Sequence, residues 1–489
     1  MHRVRRLRWW LGGLALVLAA ALVMAAYLLR GERWSSMFER TPMELVRYTE
    51  RRLDGHPTLQ RVFGSALEAV RRNLEREPPA NLPNLGKGQR PHTLAVIGYD
   101  GAGRPKAVSG APSTNNGANA TTLIARVDEL IAAMAAAMPG QVLELAPGTY
   151  NLQKPLTTGH AGASSQPIVL RAAKPGSVEI VVTALTGMVV SQPYWVFENL
   201  NWRGACLQHD ECEHAYHVVG PARSTVIVNN RISDFNAHIK INGEGGAWPD
   251  NGLLQFTTLT NSAPRRTALP VSLVDLVGAS GWQIADNHVE RIAKDGGSRI
   301  SYGVCVKGAG QQARVERNLV VCTPERISQP GLRVGISLGC GATDRAFCRD
   351  GRCEVELSNS VVANNVVAHC NDFGIDLHRA RNAVVAHNTL VNSAGIDARH
   401  EATQAVAVGN LLEGRVRARD GARLDAHDNA IVNPLASLLI EPNALDLRWH
   451  ETSDGTRSTP ETERDFCGLR RPPISPPGAT VQPTCDAPR

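Results

Sequence analysis

The sequence of 489 residues is poor in aromatic side chains, which make up 5% of it, but it contains 44 glycines and 29 prolines. So few bulky core residues over such a length favour one elongated repeat fold over several conventional globular domains. A hydrophobic content of 43% excludes global disorder. Most of the formal net charge of +6 comes from arginines within the first 33 residues. Composition therefore indicates no basic surface for nucleic acid.

Metal and phosphate motifs are also missing. No two of the ten cysteines have the spacing of a zinc site, and Gly101-Ala-Gly103 lacks the context of a phosphate loop. Ten cysteines instead agree with export to an oxidising compartment. Short loops suggest the pairs Cys206–Cys212, Cys348–Cys353 and Cys467–Cys485. Stacked coils could pair Cys305 with Cys340 and Cys322 with Cys370, although sequence does not fix connectivity.

The amino terminus predicts a membrane anchor. Residues 9–29 carry no charge and, at 1.5 Å per residue, match the roughly 30 Å of bilayer hydrocarbon. Four arginines precede this run, so we expect a single-pass inner-membrane protein with a cytoplasmic amino terminus and a periplasmic remainder. A cleaved signal peptide, and hence a secreted protein, is the alternative.

The chain divides into five predicted segments. Residues 1–33 form the anchor and residues 34–90 a helical juxtamembrane stalk, with helices starting near Thr41 and after Pro57. Residues 91–122 form a Gly-rich linker. Residues 123–445 form a repeat domain whose first part, residues 123–138, is a short capping helix, and residues 446–489 form a Pro-rich tail.

A recurring asparagine reveals the repeat. Each copy has an asparagine, any residue and an apolar residue, followed by a glycine and an alternating apolar strand. Thr257 occupies the slot after the first copy, and successive positions are 19 to 47 residues apart. The lower value suits one coil of a parallel β-helix, with longer coils carrying inserted loops. The asparagine positions are Asn230, Asn287, Asn318, Asn365, Asn388, Asn410 and Asn429.

These repeats, with the strand of residues 141–150 and residues 167–172 after it, resemble the right-handed parallel β-helix proteins. That superfamily includes pectate lyases, alginate and chondroitin lyases and mannuronan C5-epimerases. The resemblance implies an all-β, right-handed parallel β-helix over about residues 120–445. With the residues before it, the expected fold is such a solenoid with an N-terminal transmembrane helix and a short helical stalk.

Aligning the coils places polar residues in two outward columns, because side chains alternate along a strand and coils lie about 4.8 Å apart. The first column is Lys240, Asp275, Cys305, Ser337, Asp376, Asp397 and Arg417. The second is Asn242, Val277, Lys307, Gly339, His378, Arg399 and Arg419. This charged stripe suits an anionic polysaccharide.

A uronate lyase or epimerase must neutralise the substrate carboxylate and remove the C5 proton. Lys307 and then His378 are the candidate bases, and Arg333, Arg399 and Arg417 could neutralise the carboxylate. Asp376 and Asp397 could share a proton, form salt bridges to the arginines, or serve as tentative ligands of calcium, the only cofactor suggested. A loop of residues 243–251 could bring Glu244, Asp250 and Trp248 to the same face, the last as a sugar-stacking platform, or could instead be a tight acidic turn that covers the core. Lys240, Asn242 and Asp275 complete the expected substrate contacts.

Two local resemblances support these roles. Residues 303–307 resemble the coil with the base lysine of alginate and chondroitin lyases, but Tyr302 and Gly303 replace its acidic calcium ligands. Residues 373–378 resemble the Tyr-Gly-Phe-Asp-Pro-His segment of mannuronan epimerases, with Phe373 and Leu377 as the departures. The expected function is binding, with cleavage by β-elimination, of a uronate-containing polysaccharide. The alternatives are a non-catalytic binding or structural scaffold of the envelope and a uronate C5-epimerase.

Overall fold

The computed structural model describes residues 45–46, 49, 53, 57–74, 82–91, 98–106, 121–325, 331–451, 455–459 and 462–480. The chain divides into two compact units, residues 1–77 and 78–489. In the first, helix α1 spans Pro57–Leu74, as the apolar spacing predicts. The predicted helix start at Thr41 and the predicted anchor of residues 9–29 lie outside the described residues. Among the helices that are described, none has both the length and the apolar character needed to cross a bilayer.

The second unit is a parallel β-helix whose coils each contribute a strand to three long sheets. Sheet 1 contains β1 Thr121–Ile124, β2 Val142–Leu145, β5 Ile168–Ala172, β8 Trp195–Glu198, β11 Val226–Val228, β14 Leu253–Gln255, β18 Gln283–Ala285, β22 Gly310–Gln311, β23 Arg314–Glu316, β26 Leu357–Ser358, β27 Val361–Ala363, β30 Ala380–Ala386, β33 Gln404–Val408 and β36 Arg423–His427. Sheet 2 contains β3 Gly148–Leu152, β6 Val178–Val182, β9 Asn201–Gly204, β12 Arg231–Ser233, β15 Thr258–Thr260, β19 His288–Glu290, β24 Leu319–Val321, β28 Val366–Ala368, β31 Thr389–Val391, β34 Leu411–Leu412 and β37 Ala430–Ile431. Sheet 3 contains β4 Leu156–Thr157, β7 Thr186–Val190, β10 His214–Val219, β13 Ala237–Asn242, β17 Val271–Val277, β21 Ile300–Lys307, β25 Leu332–Leu338, β29 Ile375–His378, β32 Gly395–Arg399 and β35 Arg415–Arg419.

Shorter elements decorate these sheets. Helix α2, Val127–Ala136, packs its buried Leu130 and Met134 beside the first coil. The predicted helix of residues 123–138 is therefore too long, because residues 121–124 pair with β2 as a strand. The remaining strand pairs are β16 Arg265–Arg266 with β20 Lys294–Asp295, β38 Leu439–Glu441 with β39 Asp446–Trp449, and β40 Thr456–Arg457 with β41 Ile474–Ser475.

The asparagine ladder lies at the turn between sheets 1 and 2. In each coil a residue with positive φ, such as Asn229 or Asp286 at 57°, turns the chain just before the ladder position. The side-chain oxygen of Asn318 accepts from the backbone N–H and side-chain amide of Asn287 at 3.0 and 2.9 Å. The same bonds repeat to Asn429, and Thr257 fills its slot as predicted. Buried turn groups are thus satisfied coil by coil.

The terminal segments cover two of the three outer faces. Phe466 and Ala479, in the Pro-rich tail, pack on outward apolar residues of sheet 2 such as Leu319. Tyr99 packs against outward residues of sheet 1 such as Val226. Buried Lys87 ties residues 82–91 to this unit, since its ammonium donates to Asp286 at 2.8 Å and to the Phe466 carbonyl at 2.5 Å. Sheet 3 differs, because polar and charged side chains dominate its outer face.

Candidate functional site

The strand register of sheet 3 confirms the predicted columns. Lys240 pairs with Asp275, Asp275 with Cys305, and Cys305 with Ser337. The column continues through Asp376 and Asp397 to Arg417. In the second column, Asn242, Val277 and Lys307 follow one another, and so do His378, Arg399 and Arg419. The stripe is not solvated along its whole length, because Asp275, Ser337, Asp376, Asp397 and His378 are all buried.

The carboxy-terminal part of the face is a network of paired charges, which we call the arginine array: Asp376, Asp397, Arg399, Arg417 and Arg419. Asp376 accepts from Nε and Nη2 of Arg399 at 2.9 and 3.1 Å, and from the Ser337 hydroxyl at 2.8 Å. Asp397 accepts from Nε of Arg417 at 2.8 Å and Nε of Arg419 at 3.0 Å. The aspartates therefore fix the arginines from below.

Exposure separates the two kinds of charge in this array. The Asp376 and Asp397 side chains are 3% and 0% exposed, whereas those of Arg399, Arg417 and Arg419 are 24%, 32% and 31% exposed. Burial raises the pKa of Asp397 even though two arginines oppose the shift. The guanidinium groups of the array are therefore partly exposed to solvent, and the carboxylates that bind them are buried.

The predicted calcium site has little free coordinating capacity. Each oxygen of Asp376 and Asp397 already accepts from arginine N–H groups. In the described part of the chain, three side chains close enough to share an ion are found at Cys348, Asp350 and Cys353. Those cysteines form a disulfide, which removes their thiolates. The described residues therefore do not fit calcium at Asp376 and Asp397.

Four of the suggested disulfides are present, including the two stacked-coil pairs that the sequence left open: Cys206–Cys212, Cys305–Cys340, Cys322–Cys370 and Cys348–Cys353. Cys467 is disulfide-bonded too, but its predicted partner Cys485 lies outside the described residues. The Cys305–Cys340 bridge occupies the middle of the first column and excludes a thiol nucleophile there. It also fixes the start of an inserted loop, residues 340–356, which we call the insertion.

His378, a predicted base, is buried beneath the insertion. It is 7% exposed, its ring lies against the backbone of Gly341, and its buried Nδ1 atom has no hydrogen-bond partner. Burial, reinforced by Arg399, lowers the pKa of His378 to about 4. The ring is therefore neutral but closed off from a polymer on the face.

The four predicted catalytic residues are not gathered in one place. His378 and Arg399 are register neighbours. Lys307 lies at the end of β21, and the coil that contains Gly339 lies between it and His378. Lys307 and His378 are therefore two coil spacings apart, about 10 Å. Arg333 is 2% exposed and pairs in register with Ser301, at the opposite end of the strand from Lys307. The proposed roles of these residues remain predictions.

The loop of residues 243–251 lies at the rim of sheet 3. Arg349 of the insertion binds both carboxylate oxygens of Asp250 at 2.7 and 3.0 Å and lies 5.5 Å from the Trp248 ring centroid. The ring packs on Gly243 and Gly278, where added Cβ atoms would clash with it. Trp248 is therefore partly covered by Arg349, while Glu244 is exposed.

The amino-terminal part of the face contains a set of polar residues that we call the His217 cluster: His217, Lys240, Asn242 and Asp275. His217 Nε2 lies 2.7 Å from Asn242 Oδ1, and Lys240 donates to Asp275 at 2.5 Å. Burial alone would raise the pKa of Asp275, but the ammonium groups of Lys240 and Lys307 hold this pKa below its usual value.

Sequence reasoning missed His217. The coil of His217 has Leu200 in place of the ladder asparagine, and a disulfide loop separates its strands β9 and β10. An alignment of coils on their asparagines therefore does not include this coil. The register places His217 beside Lys240 in the first column. The alternation of residues 214–219 could have extended that column by one coil.

Comparisons with known proteins find solved structures at low identity but no family. No protein-family model and no curated protein matches the chain. Among solved structures, an alginate lyase from Paenibacillus sp. str. FPU-7 has 16% identity and a TM-score of 0.39, over 64% of this chain and 96% of that one. Pectate lyase Pel9A has 14% identity and a TM-score of 0.45, over 72% and 90%. A PL6 family polysaccharide lyase from Pseudopedobacter saltans has 14% identity and a TM-score of 0.37, over 64% and 94%. Such values concern the fold alone; the parallel strand pairing independently defines this chain as a β-helix protein with a polar third face.

Proposed function

We propose that this protein binds an anionic, uronate-containing polysaccharide along the outer face of sheet 3. The arginine array carries the proposal. Arg399 and Arg417 each use part of the guanidinium on a buried carboxylate and leave the remainder at the surface, whereas Arg419 pairs with buried Asp397 and also with exposed Asp420. A guanidinium fork matches a carboxylate in two parallel hydrogen bonds, so fixed arginines recognise carboxylates with little loss of side-chain entropy.

The shape of the face supports a polymer rather than a small ligand. From His217 to Arg417 the first column crosses seven coil spacings, about 34 Å at 4.8 Å per coil. A single sugar spans a small part of that length, so several residues of an extended chain would fit. The disulfides agree with an oxidising compartment, and periplasmic placement by an amino-terminal anchor remains part of the proposal.

Binding can be tested by calorimetry with the full chain in mild detergent and a panel of alginate, pectate and glycosaminoglycans, with neutral dextran for comparison. We expect binding to the anionic polymers alone, weakening as salt rises. The variant Arg417→Gln with Asp397→Asn removes one surface cation without leaving its buried partner charged. Loss of one charge-assisted contact should weaken binding about tenfold.

Arg448→Gln is the matched control, because Arg448 is an exposed arginine paired with Asp446 outside this face. Its affinity should equal that of the unchanged protein. Equal affinity for dextran and the acidic polymers, or equal losses in both variants, would argue against the proposed surface.

Lyase-type elimination is a second candidate function. A half-buried histidine next to a lysine on the same face favours it over a purely structural scaffold. The predicted bases Lys307 and His378 are less suited to elimination than the pair of His217 and Lys240. The insertion closes His378 off from a polymer, and Lys307 lies two coils away from His378. Proton NMR of the same polymers would detect the unsaturated uronate that elimination produces.

A further inference from the structure

We propose that His217 is a catalytic base and that Asn242 positions it, while Lys240 binds the carboxylate of the uronate whose C5 proton His217 removes. This inference rests on the proposed function, because it requires a uronate polymer on the face of sheet 3. It moves the chemistry to β10 and β13, away from the insertion.

The hydrogen bonds of Asn242 determine which nitrogen of His217 is free. The amide nitrogen of Asn242 donates to the Gly243 carbonyl at 3.0 Å, which directs its oxygen toward His217. His217 Nε2 must then be the donor in the 2.7 Å bond to that oxygen. The ring is thus held as the tautomer whose Nδ1 atom has a free lone pair. His217 is half-buried, so part of its ring remains at the surface of the face.

Lys240 is placed to hold a carboxylate beside this base. It is the register neighbour of His217 and is 23% exposed, and its ammonium uses one donor on Asp275. An ammonium has three donors, so two remain for a ligand. Asp275 fixes the lysine from below, and its other oxygen, Oδ1, is buried without a hydrogen-bond partner. That unsatisfied atom is costly for stability, and a role at a functional site would account for it.

The surroundings keep the histidine neutral. Burial, reinforced by Lys240, lowers the pKa of His217, although Asn242 and exposed Glu244 oppose the shift. His214, whose ring centroid is 5.2 Å away, has its pKa lowered to about 3 by burial and by His217. Burial raises the pKa of Glu213, with Lys240 opposing. Lys240 and Lys307 are the basic side chains near the site, and Asp275, Glu213 and Glu244 are the acidic ones.

The reaction needs no further reagent. His217 Nδ1 takes the C5 proton, and the electrons of the C5–H bond move into the carboxylate as an enolate held by Lys240. The same pair then forms the C4–C5 double bond as the C4–O4 bond breaks. The imidazolium returns its proton to the departing O4, so atoms and charge balance without an oxidant or a metal.

The experiment is proton NMR in D2O with the full chain and the anionic polymer that it binds. We expect unsaturated-uronate signals, with rates reduced about 100-fold or more in His217→Gln, since a general base contributes at least that much. His214→Gln, in the same strand, should stay within about threefold of the unchanged protein.

A pH profile separates positioning from folding. Asn242→Asp keeps an acceptor for Nε2 but adds a negative charge, which raises the pKa of His217. The acidic limb of the rate profile should therefore move to higher pH, which a merely structural change would not cause. Binding without any reaction, or full activity in His217→Gln, would overturn this inference and leave the binding proposal intact. Absence of binding to every polymer would instead remove the proposed function itself.

Discussion

The two ends of the sheet 3 face use charge in opposite ways. In the arginine array every oxygen of the two aspartates is bonded and the partly exposed members are all cations, one of which, Arg419, also pairs with exposed Asp420. In the His217 cluster one aspartate holds one lysine, an aspartate oxygen is left without a partner, and a neutral imidazole lies beside them. The disulfide of Cys305 and Cys340 lies between the two regions.

The difference teaches what each region can do. A network in which all buried charges are paired is rigid and presents a fixed pattern, which suits recognition of a repeating anion. A region whose base keeps one ring nitrogen free and whose acid keeps one oxygen unsatisfied retains groups that can exchange protons. A shared face would let the array hold a polymer while the cluster reacts with one of its sugars.

The largest effect should come from removing the cations over Asp397. In Arg417→Gln with Arg419→Gln, a carboxylate that is 0% exposed loses both partners. We expect a loss of about 3–5 kcal/mol in the free energy of unfolding at pH 7, measured by urea denaturation. The deficit should shrink at acid pH, because Asp397 can then be protonated in the folded state.

The control for that prediction is Arg448→Gln. Arg448 is 52% exposed, so its replacement should lower the free energy of unfolding by less than about 1 kcal/mol. A small, pH-independent effect of the double variant would show that Asp397 is solvated, and the contrast between the two regions would then fail.

A smaller effect should distinguish the two aspartates by pH. The pKa of Asp275 is lowered in the folded state, so its ionised form stabilises the fold above its unfolded pKa, and this contribution is lost as pH falls. The pKa of Asp397 is raised, so protonation favours the folded state on acidification. Asp275→Asn should cost about 1–3 kcal/mol at pH 7.

Urea denaturation of Asp275→Asn and Asp397→Asn from pH 7 to pH 3 measures this contrast. The stability deficit of Asp275→Asn, relative to the unchanged protein, should shrink as pH falls, whereas that of Asp397→Asn should grow. Parallel curves for the two variants would mean that the regions do not differ electrostatically.

Sequence was sufficient for the repeating parts of this structure. Period-two alternation and the ladder asparagines determine the register, so the columns and the Thr257 slot were predictable, whereas the pairing of Cys322 with Cys370 was a possibility that the sequence left open. These features depend on neighbours one coil away, which are related by a nearly constant spacing.

The site was less predictable because it depends on an irregular loop. Nothing in the alternation of residues 335–339 shows that the insertion will close over His378, or that Arg349 will reach Asp250 ninety-nine positions earlier in the chain. His217 was missed for a related reason, since Leu200 interrupts the ladder just where the cluster begins.

The smallest expected effect concerns the rim where the insertion meets Trp248. In Arg349→Met the bonds to Asp250 and the contact with the ring are lost, but both charged groups are partly exposed, at 32% and 26%. We expect a stability loss of about 1 kcal/mol or less by urea denaturation. Because the change uncovers the indole, polymer affinity should rise slightly if Trp248 stacks on sugars.

Calorimetry with Arg349→Met, alone and combined with Trp248→Ala, resolves the two causes. If the uncovered ring strengthens binding, the gain in affinity must vanish in the combined variant. A gain in affinity that persists would instead be caused by Asp250, which no longer pairs with Arg349. Unchanged affinity throughout would place the polymer path over the columns and away from this rim. Recognition would then depend on the arginine array without a stacking platform at Trp248.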